Sequence, residues 1–266
     1  LPGEWSLREK LDRIADAGFD GLEVAWTSEL PDARAALELL PEYDLEWSIV
    51  CFPSTVDEFR TIAERFSGTD VRHVNVQGNL RPYTVLDAVP YVLGWLDIAR
   101  DAGLTVYFET HRDRMTTDLR FTLQLIDAIP AMKLVGDLSH YVVGEEFAWP
   151  IAPTDEALMQ RILARCHGFH GRVATREQIQ VPLAFPQHQA SLELFLRWWE
   201  DGFAGWLSQA RPEDELIFVP ELGPPPYAIT GVDGRELSNR WDEALLLKDA
   251  ARDIWERVSA ASGAQP

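Results

Sequence analysis

The stretch DAGLTVYFETH, residues 101–111, contains the signals that decide the fold. Its first three residues are typical of a helix end, because glycine readily adopts the left-handed conformation that terminates a helix. The apolar run that follows predicts a buried strand. Alternation along that strand would place Val106 and Phe108 on one face, with Glu109 and His111 on the other. The stretch therefore predicts a helix, a strand, and polar groups where the strand ends.

The same unit recurs along the whole chain. Helical patterns separate the apolar runs, and two of them begin with a capping box, at Ser6 with Glu9 and at Thr55 with Glu58. Strands that alternate with helices predict βα units and a parallel sheet. The predicted strands are Gly21–Trp26, Leu45–Phe52, Val71–Gly78, Thr105–His111, Met132–Asp137, Cys166–His170 and Leu216–Leu222.

This pattern predicts an α/β chain with a single (β/α)₈ TIM-barrel domain over residues 1–266. The chain begins with the helix Ser6–Ala17, so we expect the first barrel strand to lie before Leu1. An open doubly wound sheet is the alternative, but no Gly-rich phosphate loop follows any predicted strand. Two long connections, 171–190 and 223–239, follow late strands, where barrel active sites form, and we expect them to be functional loops.

The composition of the chain limits the classes of partner that it is expected to bind. The 266 residues include 24 Lys and Arg against 43 Asp and Glu, a net charge of −19, which disfavours nucleic acid and membrane surfaces. The two cysteines, Cys51 and Cys166, cannot form a disulfide framework and are expected to be buried, which fits a cytoplasmic protein. The helices Leu192–Leu207 and Trp241–Val258 are candidate subunit contacts in a homo-oligomer. Trp198 is predicted to lie in the core or at such a contact, together with Trp199 and Trp206.

Ionisable groups occur at the ends of four predicted strands: Glu109, Asp137, His170 and Glu221. Each of these residues, taken alone, could simply be a solvated polar group at the end of a strand. Three carboxylates in one barrel mouth, however, would repel one another and resist burial. A divalent cation would remove both problems, and this mostly oxygen ligand set suits Mn²⁺ or Mg²⁺, with Co²⁺ and Zn²⁺ as further candidates.

Six short stretches match a known family in order along the chain: Ala17–Val24, Glu109–Arg112, Gly136–His140, Phe169–Val173, Gln180–Pro182 and Pro220–Tyr227. They resemble the xylose-isomerase-like barrels of sugar isomerases and epimerases, including hydroxypyruvate-isomerase-like and sugar-phosphate-isomerase-like enzymes. The resemblance implies one divalent ion held by a Glu, an Asp, a His and a Glu on the last four strands. These ligands correspond to the four residues at the strand ends, Glu109, Asp137, His170 and Glu221. It also implies that Glu109 and Glu221 form an acid/base pair.

The resemblance further implies that His140 and Arg176 contact substrate hydroxyls, with Arg172 as the alternative to Arg176. His111 is a candidate hydroxyl binder or proton relay. His167 is the alternative to His170 as metal ligand. His73, deeper on its strand, is expected to be a hydrogen-bonded structural residue.

These residues predict a metal-dependent isomerase or epimerase that acts on a keto-sugar or polyol through an enediolate. The same groups would support β-elimination, which makes a lyase or dehydratase the alternative. A non-catalytic sugar-binding protein is less favoured, because all four ligand positions are filled. An abasic-site endonuclease would require more His ligands than the six histidines allow, and a basic groove.

Overall fold

The computed structural model describes residues 5–27 and 31–262, which form two compact units. The first comprises Leu1–Thr116 and Gln124–Lys133, and the second comprises Thr117–Leu123 and Leu134–Pro266.

The first unit contains a parallel sheet of four strands in chain order, β1 to β4. Its helices and strands are α1 (Leu7–Asp16), β1 (Gly21–Trp26), α2 (Pro31–Leu39), a 3₁₀ turn (Leu40–Glu42), β2 (Glu46–Cys51), α3 (Val56–Phe66), β3 (Val74–Val76), α4 (Val85–Ala102) and β4 (Val106–Glu109). Helix α5 (Leu119–Ala128) contributes residues to both units.

Local sequence signals set the helix ends of this unit. Ser6 caps α1 with the predicted capping box. Thr55 caps α3 by accepting a hydrogen bond from the Glu58 amide, but the Glu58 carboxylate accepts from the Ser54 amide instead of completing the box. At the far end of α4, Gly103 has φ 71°, the left-handed conformation that the opening stretch predicts.

The strand faces of this unit follow the predicted alternation. Phe108 stacks on Trp95 of α4, with ring centroids 6.1 Å apart, so it faces the helices. On the opposite face, Tyr107 lies 5.2 Å from the ring of His73. His73 is buried and its Nε2 lies 3.5 Å from Oε2 of Glu23, in keeping with the structural role expected of it.

The second unit contains a parallel sheet of three strands in chain order, β5 to β7. Its elements are β5 (Leu134–Gly136), α6 (Ser139–Gly144), α7 (Pro153–Leu163), β6 (Cys166–His170), a 3₁₀ turn (Pro186–His188), α8 (Gln189–Leu207), β7 (Ile217–Val219) and α9 (Arg240–Ser262). Every one of the seven predicted strands thus contains an observed strand, and Gly21–Trp26 and Cys166–His170 agree to the residue.

Aromatic residues of α8 form the core of the second unit. Trp198 and Trp199 are fully buried and Trp206 nearly so, as their helical spacing predicts for core residues. Trp199 packs edge-on against Phe218 of β7, with centroids 5.1 Å apart. Since Phe218 faces α8, the alternate residues of β7 face the other side of the sheet.

Both cysteines are free and buried, as predicted. In the part of the chain that the structure describes, none of the helices is long and apolar enough to cross a bilayer.

Candidate metal centre

Three of the predicted ligands follow the three strands of the second unit. Asp137 comes directly after β5, His170 is the last residue of β6, and Glu221 lies two residues beyond β7. The carboxyl ends of parallel strands meet at one edge of a sheet, so these side chains share that edge. Gly136 permits the packing beneath, because a Cβ at this position would lie 2.8 Å from the sulfur of Cys166.

These three side chains converge. Asp137, His170 and Glu221 each offer one ligand atom, and these atoms lie within 4.8 Å of one another. Nδ1 of His170 lies 2.8 Å from Oε2 of Glu221. Asp137 and His170 are buried, whereas 37% of the Glu221 side chain is exposed. One face of the cluster is thus buried and the other is accessible.

The donor set fits a divalent cation. Two carboxylates and one imidazole are the ligand types that Mn²⁺, Mg²⁺ and similar ions accept in proteins. The three residues come from three different strand ends, so the sheet holds their backbones in place.

A buried arginine also belongs to this cluster. Nε of Arg172 donates to Oδ2 of Asp137 at 3.1 Å, and its Nη2 lies 2.7 Å from Oε2 of Glu221. The guanidinium carbon lies 4.7 Å from the ring centroid of Tyr227, a cation–π contact. A single guanidinium therefore bridges two of the three candidate ligands.

This bridge keeps both carboxylates ionised. Burial opposes ionisation of Asp137, but the nearby His140 and Arg172 outweigh it, so its pKa lies below the ordinary value. Partial burial also opposes ionisation of Glu221, yet Arg172 and His170 lower its pKa to about 2.

The remaining surroundings of Asp137 are polar. Its Oδ1 accepts hydrogen bonds from the amide and the hydroxyl of Ser139, at 3.1 and 2.5 Å. Nε2 of His140 lies 3.4 Å from Oδ2. His140, a predicted substrate contact, is therefore fully buried beside a candidate ligand.

The two predicted functional loops are tied together by Gln180, for which the sequence predicts no role. The Gln180 amide accepts from the backbone N–H of Gly223 at 2.8 Å and donates to the carbonyl of the same residue at 3.0 Å. Its Oε1 also accepts from Nη1 of Arg172, at 3.3 Å. The only signal in the sequence is that Gln180 and Tyr227 lie inside stretches that carry the family resemblance.

The histidines near this edge have distinct surroundings. His167 is only partly buried, and its neighbour Phe169 packs against Gly202 of α8. His170 contacts Glu221, with its Nδ1 2.8 Å from Oε2. His188 is buried in the first long loop, where its Nδ1 lies 2.9 Å from the carbonyl oxygen of Pro182.

Arg176 lies in different surroundings from Arg172. It is 42% exposed and pairs with Glu146 and Glu177. Of the two arginines that sequence analysis considered for the site, Arg172 is the one that contacts the candidate ligands of the second unit.

Glu109 is fully buried in the first unit. Its Oε2 accepts hydrogen bonds from the side-chain amides of Asn75 and Gln77, at 2.7 and 2.9 Å, so these three side chains share a face. The hydroxyl of Thr116 donates to its backbone carbonyl. The backbone N–H of His111, which is partly buried, donates to that same hydroxyl at 3.2 Å.

Solved structures match almost the whole chain. One is a xylose isomerase-like TIM barrel protein from Mycobacterium smegmatis in complex with magnesium, with 14% identity, TM-score 0.57, and coverage of 97% of this chain and 90% of that one. This chain has a TIM-barrel fold. The fold predicted from the sequence is confirmed.

Two enzymes share this TIM-barrel fold with the chain. The probable 3-DHS dehydratase AsbF from Bacillus anthracis matches at 14% identity and TM-score 0.53, over 94% of this chain and 93% of the other. A D-allulose 3-epimerase from Methylomonas sp. matches at 15% identity and TM-score 0.55, over 96% and 94%. No family model and no curated protein matches the sequence.

Proposed function

We propose that this TIM barrel is a divalent-metal-dependent sugar isomerase or epimerase. The observation that carries the proposal is the convergence of Asp137, His170 and Glu221 from three strand ends. A magnesium-bound protein and an epimerase of the same fold support it. Glu109 is the proposed fourth ligand, on the strength of its position at the end of β4 and of the family resemblance.

The metal and the side chains have separate tasks in this proposal. When bound, Mn²⁺ or Mg²⁺ supplies Lewis-acid polarisation of a substrate carbonyl and its neighbouring hydroxyl. Glu109 and Glu221 exchange the proton on the carbon next to that carbonyl, one removing it and the other returning it. If the proton returns to the opposite face of the same carbon, the configuration of that carbon is inverted. If it returns to the neighbouring carbon, the position of the carbonyl group changes.

The substrate contacts proposed are His140, His111, Arg172 and Arg176. Of these, Arg172 and His140 lie beside the carboxylate of Asp137. The guanidinium of Arg172 is already paired with the carboxylates of Asp137 and Glu221. The chain as a whole carries a net charge of −19. We therefore propose a neutral keto-sugar or polyol as substrate.

A lyase or dehydratase reaction is the second candidate, since a probable dehydratase shares the fold. Loss of a β-hydroxyl from the same enediolate requires only that one carboxylic acid protonate the leaving oxygen. The two reactions differ in the product, not in the ligand set.

A panel of keto-sugars incubated in D₂O with Mn²⁺ and followed by NMR tests the proposal. Deuterium incorporated next to the carbonyl supports isomerase or epimerase chemistry, and release of water from the substrate supports the lyase. If no substrate shows either deuterium exchange or elimination, that result would contradict an enzymatic role.

Metal analysis and one matched pair of variants complete the test. Purified protein should retain about one divalent ion per chain. Glu221→Gln should lower turnover by about 10²-fold or more without unfolding the protein. Glu213→Gln, which removes a carboxylate with 64% of its side chain exposed, should leave turnover unchanged. Equal activity of the two variants would rule out the acid/base role of Glu221.

A further inference from the structure

Arg172 is buried in the second unit and all three of its guanidinium nitrogens are engaged. Only 1% of its surface is exposed. Nε donates to Asp137, Nη1 donates to Gln180, and Nη2 lies 2.7 Å from Glu221. The planar guanidinium presents its donors in a fixed fork, so this set of partners also fixes its orientation.

The oxygens that Arg172 contacts are crowded with donors. Oε2 of Glu221 lies 2.8 Å from Nδ1 of His170 as well as 2.7 Å from the guanidinium. Oδ2 of Asp137 lies 3.1 Å from Nε of Arg172 and 3.4 Å from Nε2 of His140. The guanidinium therefore occupies part of the space around two carboxylates that a metal ion would need.

We propose that Arg172 is an internal cation that stabilises this site without metal and competes with the divalent ion for Asp137 and Glu221. The inference rests on the proposed metal-dependent function. Two carboxylates brought together without a counter-ion are costly, and the guanidinium supplies the charge that offsets that cost. The same fixed positive charge repels an incoming divalent ion at short range.

The competition has a signature that a purely structural arginine would lack. Removing the guanidinium should destabilise the metal-free protein, because Asp137 and Glu221 lose their counter-charge. The same change should strengthen metal binding, because repulsion and competition both disappear. If Arg172 only held the carboxylates in place for the metal, its removal would lower both the stability of the metal-free protein and its affinity for the metal.

The test uses the full chain with three variants. Arg172→Met removes the charge, and Arg172→Lys retains it. Arg257→Met removes a charge that pairs with Glu200 on the surface and is the control. Melting temperatures are measured in EDTA and in saturating Mn²⁺, and Mn²⁺ affinity is measured by calorimetric titration.

Arg172→Met should melt lower than the native protein in EDTA and bind Mn²⁺ at least about tenfold more tightly. Arg172→Lys should bind Mn²⁺ with nearly native affinity, since it keeps the repelling charge, and Arg257→Met should change neither property. Unchanged or weaker Mn²⁺ binding by Arg172→Met would overturn the inference. So would an Arg172→Lys variant that binds Mn²⁺ as tightly as Arg172→Met does.

Folding defects do not block the test. If Arg172→Met folds only when Mn²⁺ is present, the ion replaces the guanidinium, as proposed. If it folds under neither condition, Arg172→Gln, which keeps a polar group in the site, is judged by the same affinity criterion.

The outcomes separate this inference from the proposed function. If the native protein binds no Mn²⁺ but Arg172→Met does, competition by Arg172 is supported and metal dependence of the native enzyme is contradicted. If the native protein binds Mn²⁺ and Arg172→Met binds it no more tightly, only the inference fails. If neither binds Mn²⁺, both fail.

Discussion

The ion pair between Asp137 and Arg172 should make a large contribution to the stability of the metal-free protein. Both side chains are almost completely buried, and the Nε to Oδ2 distance is 3.1 Å. Removing one partner of a buried pair leaves an uncompensated charge and costs about 3–5 kcal/mol. In a chain of this size each kcal/mol lowers the melting temperature by about 2–4 °C.

A double-mutant cycle measures this coupling directly. Asp137→Asn, Arg172→Met and the double variant are unfolded with urea in EDTA, so that bound metal does not contribute. Asp137→Asn leaves the guanidinium paired with the carboxylate of Glu221, so the cost of this substitution should be near 3 kcal/mol. The double variant should be at least about 1.5 kcal/mol more stable than the sum of the two losses predicts, because it removes both charges of the Asp137–Arg172 pair.

The same cycle on an exposed pair is the control. Asp233 and Arg235 lie 3.8 Å apart with most of both side chains exposed, so their coupling should be below about 0.5 kcal/mol. A coupling between Asp137 and Arg172 as small as that of the exposed pair would refute the reasoning.

Three further predictions concern packing, pH and metal. Gly202→Ala should destabilise the protein by about 1–3 kcal/mol, because its Cβ would lie 2.4 Å from the ring of Phe169, whereas Gly205→Ala on the same helix meets nothing within 4 Å and should stabilise it by up to about 1 kcal/mol. Burial raises the pKa of Glu156, but hydrogen bonds, chiefly the one from Arg197, outweigh it and hold this pKa below the usual 4.5. The ionised carboxylate therefore contributes its full stabilisation above pH 4.5, and this contribution is lost as the pH falls through the folded-state pKa. Glu156→Gln should therefore lower the melting temperature by about 2–4 °C near pH 7 and by less near pH 3. Chelation should abolish turnover, and Mn²⁺ should restore it.

Each of these has a clear contrary result. Equal melting temperatures for the two glycine variants would show that the Phe169 ring yields without cost. A loss for Glu156→Gln that is the same at both pH values would mean that the carboxylate charge is irrelevant. Full turnover in excess EDTA would argue against a metal-dependent reaction.

Much of the fold was predictable because its signals are local. The capping box at Ser6 and the left-handed Gly103 depend on neighbours within a few residues. Alternation along β4 correctly put Phe108 against a helix and Glu109 on the other face with Asn75. The extent of β3 was less predictable, since only Val74–Val76 of the predicted Val71–Gly78 forms the strand.

The site was only partly predictable, because its contacts join distant parts of the chain. The family resemblance implied that Arg176 contacts substrate, and in the structure its guanidinium pairs with Glu146. The contacts of Arg172 with Asp137 and Glu221 were not predicted. No pattern in the sequence indicated that Gln180 would bind both backbone groups of Gly223, which is 43 residues away.

The sequence by itself determined the order of strands and helices, the faces of each strand, and the ionisable residues at the strand ends. Those properties follow from periodicity and capping, which act over one or two turns of chain. Only the tertiary structure decided that one buried guanidinium, that of Arg172, bridges Asp137 and Glu221. Such contacts depend on how strands pair and loops pack, and the free energy of those long-range contacts is not encoded in any single stretch.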